Sequence, residues 1–334
     1  MPLRTGKLPP QVLQTLVLSD LGAKRPDVLV HAALGEDSSV IDFGDCVCVV
    51  STDPITGAVA NAGWLSVQIS CNDVAANGAE PVGVLPTLLL PESTTEAEIR
   101  RTMAEISTAA AELGVEVLGG HTEITPGLPN LIISLTAIGR APKTGYVTSA
   151  GARPGDVILM SKWAGMEGTS ILANDLPDRL AAHLDPAALA RARHLVKRIS
   201  VVKEGLLAAR NGATALHDAT EGGVLGALFE LAEASGIGLE VWPDTIPVLP
   251  ETTAICRAFK ADPLRLISSG TMLIASRKGS ELADLLRREG IEATVIGAAT
   301  EPEAGRWLVR ADGSREPLFP PDRDELWRIL EEQV

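Results

Sequence analysis

Three acidic residues stand where polar turns interrupt apolar segments: Asp37 in Gly35-Glu36-Asp37-Ser38-Ser39-Val40, Asp53 in Ser51-Thr52-Asp53, and Asp73 in Cys71-Asn72-Asp73. Hard divalent cations take oxygen ligands, and Mg²⁺ commonly bridges protein carboxylates to nucleotide phosphates, so three carboxylates gathered at one point would make such a site. Asp73, with Asn72 beside it, is the least ordinary of the three. It falls inside a run of small and apolar residues that reads as a helix, where aspartate is a poor choice on propensity alone. Paired glycines are the second signal. Gly119-Gly120-His121-Thr122-Glu123 follows a short apolar run, and glycines let a backbone approach an anion closely. His217-Asp218-Ala219-Thr220-Glu221-Gly222-Gly223-Val224 lies between a strand-like and a helix-like run. The Gly222 and Gly223 amides would then sit at a helix N-terminus, where phosphate binds, while Asp218 or Thr220 can cap the same helix. Lys162-Trp163-Ala164-Gly165-Met166-Glu167-Gly168-Thr169 repeats the arrangement.

Each feature also has a plain structural reading: Asp37 and Asp53 as turn or cap residues, Asp73 as a solvated helix position, His121 as a satisfied loop histidine. Neither a GxxxxGK[ST] loop nor a GxGxxG fingerprint occurs in the chain.

The elements that would position these residues alternate short β-rich runs with longer helical ones to about residue 310, which is an α/β or α+β pattern. Val47 to Thr52 reads as a strand ending at Asp53-Pro54, and Ala62 to Asn77 as a helix with Trp64, Val67, Cys71 and Val74 on one face. Val82 to Leu90 is a strand stopped by Pro91. Thr94-Thr95-Glu96 opens a helix that Gly114 closes. Val115 to Leu118 and Leu131 to Ile138 follow. Gly, Pro and small polar residues cluster without periodicity over residues 139–156, so a first domain is expected over 1–145 and a second over 155–310. The second opens with strand Val157 to Ser161 and continues with helices from Asp185-Pro186, strand Ala213 to Leu216 and helix Val224 to Ser235. Strands Leu239 to Val241, Gly270 to Ala275 and Ala293 to Ile296 complete it, with helix Ser280 to Glu289 between the last two. Residues 311–334 form a tail in which Leu326, Ile329 and Leu330 recur at helical spacing.

With 334 residues, two domains are the natural count. Every apolar run is broken well short of the ~20 residues a bilayer crossing needs, and the N-terminus has no secretory pattern, so a cytoplasmic protein without a membrane partner is expected. A net charge of −14 repels phosphodiester backbones and argues against nucleic acid as a partner. Cys46, Cys48, Cys71 and Cys256 form neither a disulfide framework nor a paired CxxC pattern and read as small buried hydrophobes. Cys46-x-Cys48 places two thiols on one face of a strand, a weak metal or redox signal.

Taken in order, GEDSSV, STD, CNDVAANGAEP, GGHTE, WAGMEGTSIL, LHDATEGGV and SSGTMLIA resemble the signature segments of the PurM-like superfamily of AIR synthase-related proteins, from about residue 30 to residue 300. Within it, HDATEGGV and CNDVAANGAEP are most similar to the HypE group of hydrogenase-maturation proteins. The resemblance implies a two-domain α/β (α+β) fold, in which the N-terminal strands form a barrel with the same domain of a second subunit and a larger α+β domain follows. It implies ATP and Mg²⁺ in a cleft lined by the N-terminal acidic segments. Asp37, Asp53 and Asp73 match the metal-facing acids, and Asn72, Gly119, Gly120, His121, Asp218, Gly222 and Gly223 match the nucleotide and phosphate side.

The chain departs from the pattern at four places. His121 replaces a usual Asp, which opens the site to another divalent metal, since imidazole suits Mn²⁺, Zn²⁺ or Ni²⁺ better than Mg²⁺. Glu123 stands where HypE has Lys, and Ser269 where HypE has Glu. The sequence ends Glu331-Glu332-Gln333-Val334 instead of in the Pro-Arg-hydrophobic-Cys tail that carries a carbamoyl group. Incubation with a carbamoyl donor and ATP is therefore expected to leave the mass unchanged. The expected protein is a homodimeric ATP-dependent enzyme that activates an amide or carboxylate oxygen, or phosphorylates a small-molecule substrate. The alternatives are a kinase resembling thiamine-monophosphate kinase and a catalytically silent dimer that binds a metabolite or a maturation factor.

Overall fold

A computed structural model describes residues 4–332; Gln333 and Val334, the last two residues of the expected tail, lie outside it. After a short helix α1 (Pro10–Leu16), the first half builds a sheet from β1 (Val28–Val30), β2 (Ser39–Asp42), β3 (Cys46–Ile55), β4 (Glu80–Leu90), β5 (Glu116–Val117), β6 (His121–Ile124) and β7 (Ile132–Pro142), with helices α2 (Ala62–Ala76) and α3 (Glu96–Leu113). Its order is β1-β2-β3-β7-β4-β5, with β6 also on β4. Neighbours are antiparallel except that β4 takes β5 and β6 in parallel.

The second half holds β8 (Val157–Ser161), β9 (Ala215–Ala219), β10 (Gly238–Val241), β11 (Thr271–Ser276), β12 (Ala293–Thr300), β13 (Arg306–Val309) and β14 (Arg315–Pro317), in the order β14-β13-β10-β12-β8-β11-β9. Around them lie α4 (Met166–Asp175), α5 (Pro177–Leu180), α6 (Pro186–His194), α7 (Val202–Arg210), α8 (Gly223–Ser235), α9 (Pro250–Phe259), α10 (Gly279–Arg288) and α11 (Glu325–Glu331). The result is a mixed α/β fold of two domains. No helix among the described residues is long and apolar enough to cross a membrane.

Local chemistry explains several boundaries. Thr95 caps α3 in a reciprocal box with Glu98, and Gly114 ends the helix in the left-handed region at φ +67°. Asp185 caps α6 through the amide of Ala188. The strand expected to stop at Asp53-Pro54 instead runs on to Ile55. β2 pairs with β3 only as far as Val50, so the later part of β3 has one free edge, where proline is tolerated. β7 likewise runs to Pro142, into the stretch read as a linker.

Helix α2 differs most from its sequence reading. Instead of one apolar face, every residue from Ala62 to Ala76 is buried, as expected of a helix packed on all sides. It lies between the first sheet, α3 and α7. Trp64 Nε1 donates to the Val196 carbonyl at 3.0 Å. Asn72 spans the domains, its Nδ2 donating to the Ile199 carbonyl at 3.0 Å while its Oδ1 accepts the Val201 amide at 2.8 Å. An aspartate on this helix is therefore buried, not solvated.

The cysteines divide. Cys71 and Cys256 are buried, and burial pushes both thiols up to about 12. Cys46 is exposed and Cys48 partly so, which corrects the reading of all four as core residues.

Candidate functional site

A cavity of about 390 Å³ opens between the domains, lined by the acids Glu36, Asp37, Asp53, Asp73, Glu167, Asp218 and Glu221 together with Lys7, hydroxyl residues and apolar groups. Asp37 precedes β2, Asp53 lies in β3 and Asp73 projects from α2. Asp218 comes from β9, opposite Met272 of β11. Four separate elements thus bring carboxylates to one place.

The cluster is electrostatically strained. Burial, reinforced by Asp53 and Asp218, holds Asp73 well above the usual carboxylate range. Ser51 Oγ lies 2.5 Å from Asp73 Oδ2 and 3.0 Å from the Asp37 carbonyl. A hydroxyl has one proton, so both bonds form together when Asp73 is protonated and donates to Ser51. Burial also raises Asp218 to about 8, with Asp37 adding to the push. Both Asp218 carboxylate oxygens are buried without a hydrogen-bond partner among the described residues.

Asp37 is held from behind. Its carboxylate lies 2.8 Å from His217 Nδ1, and the other imidazole nitrogen lies 3.2 Å from Glu230 Oε2. Burial works against charge on His217, but Asp37 and Glu230 outweigh it and keep the imidazole pKa well above its ordinary value. Glu230, which burial alone would raise, is drawn down to about 2 by Lys7 and His217.

Orphaned carboxylate oxygens and mutually repelling acids are the donor set that a hard cation neutralises. Among the described residues, no three such side chains approach closely enough to hold an ion by themselves. Their chemistry, oxygen donors carrying negative charge, would suit a hard cation.

The two glycine pairs serve the packing of the backbone. His121 and Glu123 lie on strand β6, not in a loop, and both are exposed, with His121 Nε2 2.9 Å from Glu123 Oε2. Neither they nor Gly119 and Gly120 line the cavity. Gly120 is required because β6 approaches β4 so closely that a Cβ there would stand 2.1 Å from the Pro86 carbonyl oxygen. Within one chain, therefore, Gly119, Gly120 and His121 stand apart from the cavity that gathers Asp37, Asp53 and Asp73.

The Gly222 amide donates to Asp324 Oδ2 at 2.6 Å and the Gly223 amide to the Thr220 carbonyl at 3.1 Å, so the turn read as a phosphate cradle is satisfied by the protein itself. Gly223 also meets the backbone at Leu264 and Arg265, where a Cβ would clash. Asn72, likewise, is consumed by the interdomain bonds at Ile199 and Val201.

Several cleft residues were not singled out by the sequence. Glu221 Oε1 accepts the Lys7 amide at 2.7 Å and Trp327 Nε1 at 2.9 Å, so segments from both ends of the chain meet over the cavity. Nothing local in the sequence signals that meeting. Glu167, buried in the first turn of α4, was legible only as an acid among glycines.

Two α/β domains with an acid-lined cleft between them define the class. The chain belongs to the AIR synthase-related family: residues 35–141 match the N-terminal domain and 153–309 the C-terminal domain of AIR synthase related protein. It is 31% identical over 262 residues to the carbamoyl dehydratase HypE of Cupriavidus necator, covering 72% of each chain. Among solved structures, it is similar to hydrogenase maturation protein HypE in complex with ATP, at a TM-score of 0.69 and 24% identity over 95% of this chain and 96% of that one. It is also similar to AaThiL complexed with AMPPCP and TMP, at a TM-score of 0.72 and 21% identity over 88% and 92%.

Proposed function

We propose that the protein is a cytoplasmic, ATP-dependent enzyme of HypE type that activates an amide or carboxylate oxygen of a small molecule by phosphoryl transfer. The observation that carries this is the interdomain cavity where Asp37, Asp53, Asp73 and Asp218 converge, with both Asp218 oxygens unpartnered. Mg²⁺ between these acids and the phosphates would neutralise charge that develops during transfer. This chain's residues do the rest. His217 fixes the Asp37 carboxylate, Ser51 and Ser38 fix Asp73 through its side chain and carbonyl, and Leu326 and Trp327 of α11 wall one side of the cavity.

Calorimetry with ATP and Mg²⁺ tests the reading. Asp37→Asn and Asp73→Asn are each expected to weaken binding about tenfold or more, the loss of one charge-assisted contact. Unchanged affinity in both variants would remove the cleft from nucleotide binding.

A small-molecule kinase is the second reading, supported by the likeness to AaThiL, and a stable phosphorylated product beside ADP distinguishes it. No thiol among the described residues lines the cavity.

The active form is proposed to be a homodimer. The face of the first sheet turned away from α2 carries Cys48, Val50, Leu85, Leu89, Ile132 and Ile138, all only partly buried. Leu118, packed over Gly83 near that face, is half exposed. Unpartnered apolar sheet surface favours association with a like surface, and His121 on the neighbouring β6 would enter that interface. Light scattering at micromolar concentration should give twice the chain mass of 35.0 kDa, and Ile138→Asp should give one chain. A monomeric wild type would exclude this mode. The complex with a maturation factor that one HypE structure records, with HypF, is a partner class we propose as well.

A further inference from the structure

Phosphoryl transfer to an oxygen nucleophile requires a proton acceptor, and the acids on the cation side are poorly suited to that task. Their charge is committed to the cation. Glu167 is placed differently. It is the second residue of α4, is 3% exposed, and lines the same cavity beside Ile171, Ile267, Leu326 and Trp327. Its Oε2 accepts the Ser269 amide at 3.3 Å. Ser269 also lines the cavity, and its buried hydroxyl lies close enough to Glu167 to favour the ionised carboxylate.

The position at a helix N-terminus favours an ionised carboxylate by about 2 kcal/mol at most. Burial wins over it and raises Glu167 to about 7; the Ser269 contact pulls the other way, and Asp324 of the α11 cap and Glu221 of the turn after β9 add to the rise. Lys7, Glu36, Asp37, Asp53, Asp73 and Asp218 line the same cavity. A base that titrates near the working pH combines a substantial ionised fraction with real basicity.

We propose that Glu167 is the general base of this site, with Ser269 as its positioning partner and a second contact for the nucleophile. The inference rests on the phosphoryl-transfer reading above. As the nucleophile's oxygen bonds to the terminal phosphorus, the phosphorus bond to the bridging oxygen breaks and its electron pair leaves with the diphosphate. The nucleophile's proton passes to a Glu167 carboxylate oxygen and returns to solvent after product release. The apolar wall around it sustains the raised pKa.

ATP hydrolysis in the presence of Mg²⁺, with water as the nucleophile, provides the assay. The wild-type rate should rise through about pH 7, and Glu167→Gln should lower it about 100-fold or more and remove that limb, within the range typical of general bases. Comparison with the variant is needed because Asp218 also titrates in the cavity. Glu167→Asp should recover part of the rate, and Ser269→Ala should move the limb while leaving ATP affinity within about twofold. Calorimetry keeps the two levels apart. ATP affinity lost in wild type sinks the phosphoryl-transfer reading and this inference with it. Three results overturn the base alone: ATP bound but never hydrolysed by wild type, a Gln variant that keeps the limb, or a Gln variant whose affinity falls as far as its rate.

Discussion

Asp218→Asn should raise the melting temperature of the nucleotide-free protein at pH 8 while weakening its binding of ATP with Mg²⁺. In the folded chain Asp218 titrates at about 8, chiefly because of burial, against about 4 in an unfolded one. A carboxyl whose folded pKa is raised binds more protons folded than unfolded between those values, so stability falls as pH rises through that window. The contribution is fully present below about pH 4 and gone above about pH 8. Four units correspond to several kcal/mol, and sharing of charge with Asp73 reduces what one substitution recovers to about 2–3 kcal/mol. For domains of this size that is roughly 5–10 °C. The gain should shrink steadily toward pH 5, because there wild-type Asp218 is already neutral in the folded chain. Saturating ATP and Mg²⁺ should flatten the wild-type slope by supplying the missing positive charge. Scanning calorimetry between pH 5 and 8.5 checks all three expectations. A variant less stable than wild type at pH 8 would show that Asp218 is held by favourable contacts instead.

The same residues show where the sequence was informative. α3 was legible end to end because its signals are local: Thr95 and Glu98 are three residues apart, and Gly114 follows directly. Asp73 stood out because an acid in an apolar helix conflicts with propensity, and such conflicts mark sites where burial serves something other than stability. The turn at Gly222 and Gly223 shows the opposite case. Its amides are satisfied by Asp324, about a hundred residues on, and by Thr220, and no local pattern reveals a distant cap. His121 was placed by its neighbours in sequence, yet pairing of β6 with β4 turns it onto the outer face of the sheet, away from the cavity. The fold followed from local periodicity and ordered motifs. The occupancy of each hydrogen-bonding group depended on tertiary contacts that periodicity does not encode.

Lys162→Met is the second large effect expected, and it falls on stability. The stretch from Lys162 to Thr169 has the look of a phosphate loop with its lysine, but Lys162 does not line the cavity. Its ammonium is 2.7 Å from Glu204 Oε1 on α7, and it donates to the carbonyls of Ser200 and Arg198 at 2.5 and 3.1 Å. Both side chains are nearly inaccessible, at 7% and 5% exposure. Burial, the strongest influence on Lys162, lowers its pKa, and Glu204 opposes that fall. Lys162 and Asn72 therefore grip the same backbone, residues 198–201, from two sides, and so hold the second domain against the helix that carries Asp73. Removing the lysine leaves Glu204 as an uncompensated buried charge, which costs about 3–5 kcal/mol, or on the order of 10 °C in melting temperature. Replacing the pair, Lys162→Met with Glu204→Leu, should recover much of the loss, because an apolar pair of similar volume carries no desolvation penalty. Recovery stays incomplete, since the carbonyls of residues 198 and 200 still lose their donor. A double-mutant cycle in thermal melts measures the coupling. Loss of ATP affinity in Lys162→Met without loss of stability would instead make Lys162 a phosphate ligand.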